Sequence, residues 1–367
     1  MTLKKIIKIG HTWLGLISAP IVFFVCITGT IIVFSDEIME LSAGEAKYVT
    51  EVKKEPLPTE DLLNIIQQEM PGYKSSYAVF YRNPERSVRF NCFKRGEGLR
   101  MVFIDQYTGE ILKADKAIFF FYILAHLHSS LMWHGIGNWI IDIATIIFLI
   151  ASITGLILWW PKKWGKKQVQ GSLMIKTDAN RKRLNYDLHK VLGFYGFGFS
   201  ILLSITGLII AFAPLSDALK NTFGGDATSD MRHYFEGLPQ DSTLTATPIN
   251  EVVGDVFANY PERECVQLQT FVLNESDYYI LTVADKIGLL SAMNAEEISY
   301  SKAIGEIHYI PQEIAINNKI ENIYWTLHMG NYMGIWGKIF TFIAGIIGSS
   351  LPVTGFIIWL GRHKKRK

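Results

Sequence analysis

The stretch His189–Pro214, HKVLGFYGFGFSILLSITGLIIAFAP, reads as a membrane span headed by a histidine, and the chain carries it twice. Near the N-terminus, His11 opens HTWLGLISAPIVFFVCITGTIIVF. Leu14-Gly15 and Ile27-Thr28-Gly29 stand as far from His11 as Leu192-Gly193 and Ile205-Thr206-Gly207 stand from His189. A second pair of spans repeats in the same way. Leu127-His128 is followed by Thr154-Gly155 and Trp159, and Leu327-His328 by Thr354-Gly355 and Trp359, at equal spacing. The chain is a duplicated unit, and each copy supplies two histidines at corresponding positions.

Four nearly uncharged runs are long enough to cross a bilayer, which takes about 20 residues. They are Thr12–Phe34, Trp139–Trp160, Val191–Leu215 and Ile339–Leu360. The net charge of +2 is uninformative, but its distribution is not. Lys4, Lys5 and Lys8 precede the first span. Lys162, Lys163, Lys166, Lys167, Lys176, Arg181, Lys182, Arg183 and Lys190 lie between spans two and three, and the tail reads RHKKRK. Short basic segments stay in the cytoplasm, so both long segments, about 35–138 and 216–334, are expected outside. The first span lacks a small-residue cleavage site and reads as a retained anchor.

The expected fold class is therefore membrane α-helical: a four-span bundle from two parallel-topology repeats, with two α+β domains in the periplasm. In order, the segments are span 1 (1–35), an outer domain (36–116), an interfacial helix with span 2 (117–161) and a basic cytoplasmic loop (162–187). Span 3 (188–215), a second outer α+β domain (216–323), an interfacial segment with span 4 (324–361) and a basic tail (362–367) complete the chain. The chain is then expected to be multi-pass, with both termini in the cytoplasm.

The three cysteines form no CxxC or CxxCH, which excludes c-type haem and iron–sulfur clusters. A bond between Cys92 and Cys265 is the one outer disulfide available. The GxxGxG of 193–198 follows no strand and lies within a span, so it is no nucleotide loop. No flavin or nicotinamide motif occurs, and nothing points to nucleic acid.

Glu60–Met70 has helical periodicity ending at Pro71-Gly72, and SYAVFY, SVRFNCF and MVFID read as strands before FIDQYTGEIL. This element order and its D-x-x-T-G-E tail resemble the PepSY domain. The second outer segment repeats the plan, with a helix near Asn250–Tyr260 and strands at CVQLQTFVL, YYILTV and ISYSKAI, but lacks that tail. Ala117–Met132 reads as an amphipathic helix on the outer surface, carrying His126 and His128 toward the bundle.

A lone histidine at a membrane edge is commonly an interfacial polar residue, but four at duplicated positions mark ligands or relays. His11 and His189 head spans on the cytoplasmic side; His128 and His328 head spans on the outer side. A pseudo-two-fold axis along the membrane normal would face His11 with His189 and His128 with His328. Two such layers suit two b-type haems, with the four histidines as axial ligands to iron. Gly15 and Ser18 share a helix face with His11, as Gly193 and Gly196 do with His189, and small residues there leave a slot for a porphyrin. Close helix packing would explain the glycines equally, though not the histidines. His126 and His134 are secondary candidates, because Thr326 and Gly334 replace them in the second half. Zinc is the rival metal, but each layer offers two ligands rather than three or four. His233 and His308 read as surface residues of the outer domains, and His363 belongs to the tail.

Taken together, the H-x-x-L-G spans, the LH-headed spans ending in T-G-x-x-x-W and the intervening outer domains resemble the PepSY-associated transmembrane family. That family includes iron-regulated inner-membrane proteins and ferric-siderophore reductases. The resemblance covers nearly the whole chain. It implies a four-span protein of the bacterial inner membrane with periplasmic domains, haem between the helices and electrons delivered to ferric iron outside, with His11, His128, His189 and His328 at the motif histidines. A ferric siderophore is then the expected substrate, and a quinone or a cytoplasmic protein the electron donor. The alternative is a non-redox PepSY membrane protein that binds a peptide or protease.

Overall fold

The computed structural model describes residues 1–161, 165–231, 234, 245–273, 277–289, 292–308 and 310–363. His233, Lys162, Lys163 and tail residues 364–367 lie outside the described residues, as does the His363 side chain. The chain passes four times between two units. One comprises Met1–Phe34, Ile123–Ala213 and Leu327–Lys367; the other comprises Ser35–Tyr122 and Pro214–Thr326.

The first unit is helical. α1 (Leu3–Ile32) is separated by much of the second unit from α4 (Ala117–Ser130) and α5 (Ile136–Trp159). The short α6 (Lys166–Leu173) leads to α7 (Arg181–Tyr195) and α8 (Phe197–Ala211), and α12 (Ile335–His363) ends the unit. α1, α5 and α12 are each long and apolar enough to cross a membrane. α7 and α8 pass that test only together, bent by 61° at Gly196. A side chain at Gly196 would meet Ile347 Cγ2 at 2.7 Å and the carbonyl of Leu192 at 3.2 Å, so α12 presses on the bend. The sequence predicts an unbroken third span, and the glycine-rich FYGFG supplies the break.

α1 packs on α5 and α12, α8 on α5, and α7 on α12, so the helices close a ring. Their outward surfaces remain apolar, with Ile17 on α1 68% exposed and Ile346 on α12 48% exposed. Such a surface belongs in lipid, not water. A β-carbon at Gly348 would lie 3.0 Å from the Cys26 sulfur, so Cys26 is a packing group between α1 and α12.

In the second unit, α2 (Ser35–Ala43) and α3 (Thr59–Glu69) precede β1 (Lys74–Tyr81), β2 (Val88–Lys94), β3 (Gly98–Ile104) and β4 (Ile111–Asp115). After the helical unit come α9 (Ala213–Thr222), α10 (Ile249–Asn259), β5 (Cys265–Gln269) and β6 (Tyr278–Ala284). A small hairpin, β7 (Lys286–Ile287) and β8 (Ala292–Met293), leads to β9 (Glu296–Ser301), β10 (Glu306–His308) and α11 (Gln312–Met329). α11 begins in this unit and ends in the helical one.

The two outer segments, expected as two domains, share one antiparallel sheet ordered β10-β9-β6-β5-β1-β2-β3-β4. The halves join where β1 pairs with β5, with Val79 opposite Gln267. Each half alone would leave an edge strand exposed, and joining covers both. α3 and α10 lie on one face, where Leu62 and Ile66 (both 1% exposed) pack with Val252 and Val256 (both fully buried). Burying each such side chain stabilises the fold by about 1.5–3 kcal/mol. Asn250 ties the halves: its Oδ1 accepts from Thr59 N (3.2 Å) and Thr59 Oγ1 (2.7 Å), and its Nδ2 donates to Leu57 O (2.9 Å).

Strand alternation puts Cys92 in the core beneath the helices and Cys265 in the cluster on the opposite face. Both thiols are free and buried, so the Cys92–Cys265 disulfide does not form. Asp105 of the D-x-x-T-G-E tail accepts from the backbone N–H groups of Tyr107 (2.8 Å) and Thr108 (3.3 Å), which makes this motif a turn. His308 is half-buried rather than on the surface, its Nε2 lying 3.1 Å from the Tyr234 hydroxyl.

Candidate cofactor site

All four repeated histidines belong to the helical unit, and each is held by a Thr-Gly step on another helix. His11 on α1 directs Nδ1 to the Ala151 carbonyl (3.1 Å) and Thr154 Oγ1 (3.1 Å) of α5. His128 on α4 reaches the Val25 carbonyl (3.0 Å) and Thr28 Oγ1 (3.1 Å) of α1. His189 on α7 reaches Thr354 Oγ1 at 2.9 Å and the Leu351 carbonyl of α12. His328 on α11 reaches Thr206 Oγ1 at 2.9 Å and the Leu203 carbonyl of α8.

The hydrogen-bond roles follow from chemistry. Each threonine hydroxyl donates to its own helix four residues back: Phe24 (2.9 Å), Ile150 (2.9 Å), Leu202 (2.8 Å) and Ser350 (2.8 Å). Its lone pair is left for the histidine, and a carbonyl can only accept. Nδ1 therefore carries the proton at all four positions, and Nε2 is the basic nitrogen available to a metal. The glycine after each threonine makes room for the ring. A β-carbon would meet the Cε1 of its histidine at 2.8 Å from Gly29, 3.3 Å from Gly155, 3.1 Å from Gly207 and 3.2 Å from Gly355.

The rings meet in pairs. His11 and His189 have centroids 6.3 Å apart with planes at 74°, and His128 and His328 are 6.2 Å apart at 58°. A metal–imidazole bond is about 2 Å long, and the ring centre lies about 1 Å behind the nitrogen. Two imidazoles on opposite sides of one ion would therefore have centroids about 6 Å apart. The axis inferred from the repeat brings together the same partners. His126 and His134, the secondary candidates, form a separate pair at 5.0 Å and 81°.

Beside the His11–His189 pair is a cavity of about 400 Å³, within the range that takes a cofactor-sized ligand. Gly15, Ser18 and Gly193 line it. A β-carbon at Gly15 would touch nothing within 4 Å, and one at Gly193 only Leu351 at 3.6 Å, so both positions face open space. Gly196, expected in the slot, is instead at the bend against Ile347. Among the described residues, Lys4, Lys8, Lys190 and Arg362 contribute the cavity's ionic charge, and no Asp or Glu lines it. Lys190 Nζ also donates to Gly171 O (3.1 Å) and Ser172 Oγ (3.0 Å), which fixes that ammonium near the cavity.

The threonines and glycines that seat the rings mark the repeat in the sequence, but their role is not legible there. The usable signal is Thr-Gly on each of α1, α5, α8 and α12, a recurrence that packing alone does not require. Among the described residues, no three His, Cys, Asp or Glu side chains gather so as to hold a metal ion.

The family model of the PepSY-associated TM region matches residues 10–362. The chain belongs to this family. No curated protein matches it. As a PepSY-associated membrane protein, it carries its four repeated histidines, the Thr-Gly seats and the cavity within the region matched by the family model.

Proposed function

We propose that this PepSY-associated protein is a four-span, di-haem b electron-transfer protein of the inner membrane that reduces ferric siderophores outside it. The observation that carries the reading is the pair of histidine pairs, each with separation suited to two axial ligands and each Nδ1 engaged.

His11 and His189 would hold one haem, and His128 and His328 the other. A haem held by two imidazoles would supply one-electron transfer rather than chemistry on a substrate bound to the iron. The protein residues hold, orient and neutralise. Thr154, Thr354, Thr28 and Thr206 keep Nδ1 protonated, so each histidine presents Nε2. Gly15 and Gly193 leave the flat space that a macrocycle needs. Lys4, Lys8, Lys190 and Arg362 are placed to offset two propionates through charge-assisted hydrogen bonds.

The direction follows from the charges along the chain. The basic segments assign the His11–His189 layer to the cytoplasmic side, nearer the electron donor, a quinone or a cytoplasmic protein. Siderophores hold Fe(III) through hard oxygen donors, and reduction to Fe(II) weakens that hold, so a reductase facing outward would free the metal.

The test is an optical spectrum followed by a reoxidation assay. The pure protein should be red, with a low-spin Soret band and sharp α and β bands after dithionite. A ferric hydroxamate siderophore should reoxidise the reduced protein while a ferrous chelator traps the product. A colourless preparation from haem-replete cells would reject haem and favour the peptide-binding alternative. Reoxidation by quinone but by no ferric chelate would replace the reductase with a quinone-linked carrier.

A further inference from the structure

The His126–His134 pair has no counterpart in the second half, where Thr326 and Gly334 stand at its positions. The backbone around it differs as well. After His328 the chain turns through glycines, with Gly330 at φ 78° and Gly334 at φ 56°. After His128 it turns through Leu131 at φ 53° and Met132 at φ 58°, a region that side chains other than glycine's avoid. Strain of this kind persists only where the surroundings impose it, and it concentrates at functional sites. Met132 N donates to the His126 carbonyl at 3.2 Å and closes the loop. The result carries His134 back to His126.

The separation differs from that of the span histidines in an informative way. With metal–imidazole bonds of about 2 Å and ring centres about 1 Å further out, two ligands near a tetrahedral angle have centroids about 5 Å apart, against about 6 Å for opposed ligands. The His126–His134 distance is 5.0 Å, with planes at 81°. Edge-to-face packing of two rings reaches similar distances, but it needs no strained loop, and His134 is exposed rather than packed away.

We propose that His126 and His134 form a two-histidine site for a divalent first-row transition-metal ion. Adjacent coordination positions go to the two imidazoles and the rest to water or to the ion's own chelator. Two protein ligands make a weak, exchangeable site, suited to passing an ion on. His126 is two residues from His128 on α4. On the proposed function, on which this last step rests, the ion is Fe(II) leaving its reduced chelate.

The experiment titrates Cu(II), the tightest divalent binder of nitrogen sites, into untagged, air-oxidised, full-length protein in detergent. Calorimetry and electron paramagnetic resonance follow the binding. Wild type should bind one Cu(II) with two-nitrogen hyperfine structure. His126→Ala, His134→Ala and His134→Gln should each weaken that site at least about tenfold, with an unchanged optical spectrum; His308→Ala should bind as wild type. Binding unchanged in all the His126 and His134 variants would overturn the site. So would loss of a haem band in His126→Ala, which would place that residue in the haem layer. Because the titration reads copper alone, a colourless protein that binds it would retain the site while losing the haem reading, and a red protein that does not would do the reverse.

Discussion

The Nδ1 of His189 lies 2.9 Å from the hydroxyl of Thr354, whose own proton is committed to the carbonyl of Ser350 at 2.8 Å. A threonine that has already donated can only accept, so it selects one imidazole tautomer. Thr354→Val keeps the shape and removes the acceptor, whereas Thr354→Ser keeps it. On the proposed function, the valine variant is expected to retain haem about ten- to a hundredfold less tightly, the scale for residues that orient metal ligands. The serine variant should stay near wild type. The haem-to-protein ratio after purification and dilution checks this, and equal retention in both variants would remove the tautomer argument.

The glycines under the rings should rank by clearance. A methyl at Gly29 would stand 2.8 Å from His128, closer than one at Gly207 (3.1 Å), Gly355 (3.2 Å) or Gly155 (3.3 Å) from their histidines. Gly29→Ala should therefore perturb the His128–His328 component of the spectrum most, and Gly155→Ala should perturb its own least. The low-spin bands of the four variants, compared at equal protein, give the order.

Substitutions of the histidines should divide by layer. His11→Ala and His189→Ala should remove one spectral component, and His128→Ala and His328→Ala the other, because the rings meet in those pairs. If the His11 and His128 variants lost the same component, the assignment of ligands to layers would be wrong.

Asn250 supplies three hydrogen bonds across the join between the halves of the sheet unit, and its partner Thr59 is fully buried. Asn250→Ala leaves the Thr59 donors and the Leu57 acceptor unmatched. The expected loss is about 1–3 kcal/mol, visible as a lower melting temperature of the full chain with its spectrum unchanged. A melting temperature within error of wild type would show that water replaces all three bonds.

Glu297 on β9 is held up to about 6, first by burial and then by the nearby charge of Glu321, against which the hydrogen bond from Asn318 Nδ2 (2.9 Å) works. The ordinary value is 4.5, so between there and about 6 the native state holds more protons than the unfolded one. Stability should therefore fall as pH rises through that window, by about 1–2 kcal/mol. Glu297→Gln should flatten this decline and be the more stable form at pH 7. Melting temperatures of both proteins from pH 4.5 to 7.5 test the sign.

Much of the helical unit was legible because histidine, glycine and threonine recur at fixed distances, and a repeat fixes which residues face one another without any contact being known. The bend at Gly196 was not, since a glycine-rich apolar run also suits a straight span, and only Ile347 of α12 decides the matter. The sheet was misjudged for a similar reason. Strand periodicity reveals faces, but whether β1 and β5 pair with each other or with solvent depends on segments nearly two hundred residues apart. The threonine seats stayed hidden because a polar residue inside a span usually satisfies its own helix, as these also do.

The seating of each histidine by a different helix bears on how the protein is made. His11 emerges early, but its seat, Thr154, belongs to α5; His189 must wait for Thr354 of α12. No prefix of the polypeptide that stops short of α12 can assemble the inner pair. The paired rings on α1 and α7 therefore exist only once α12 has been made and seated, and a chain stalled before it is left without them. Arrival of α12 is in this sense a checkpoint, and on the proposed function it would keep a redox-active group out of half-built proteins.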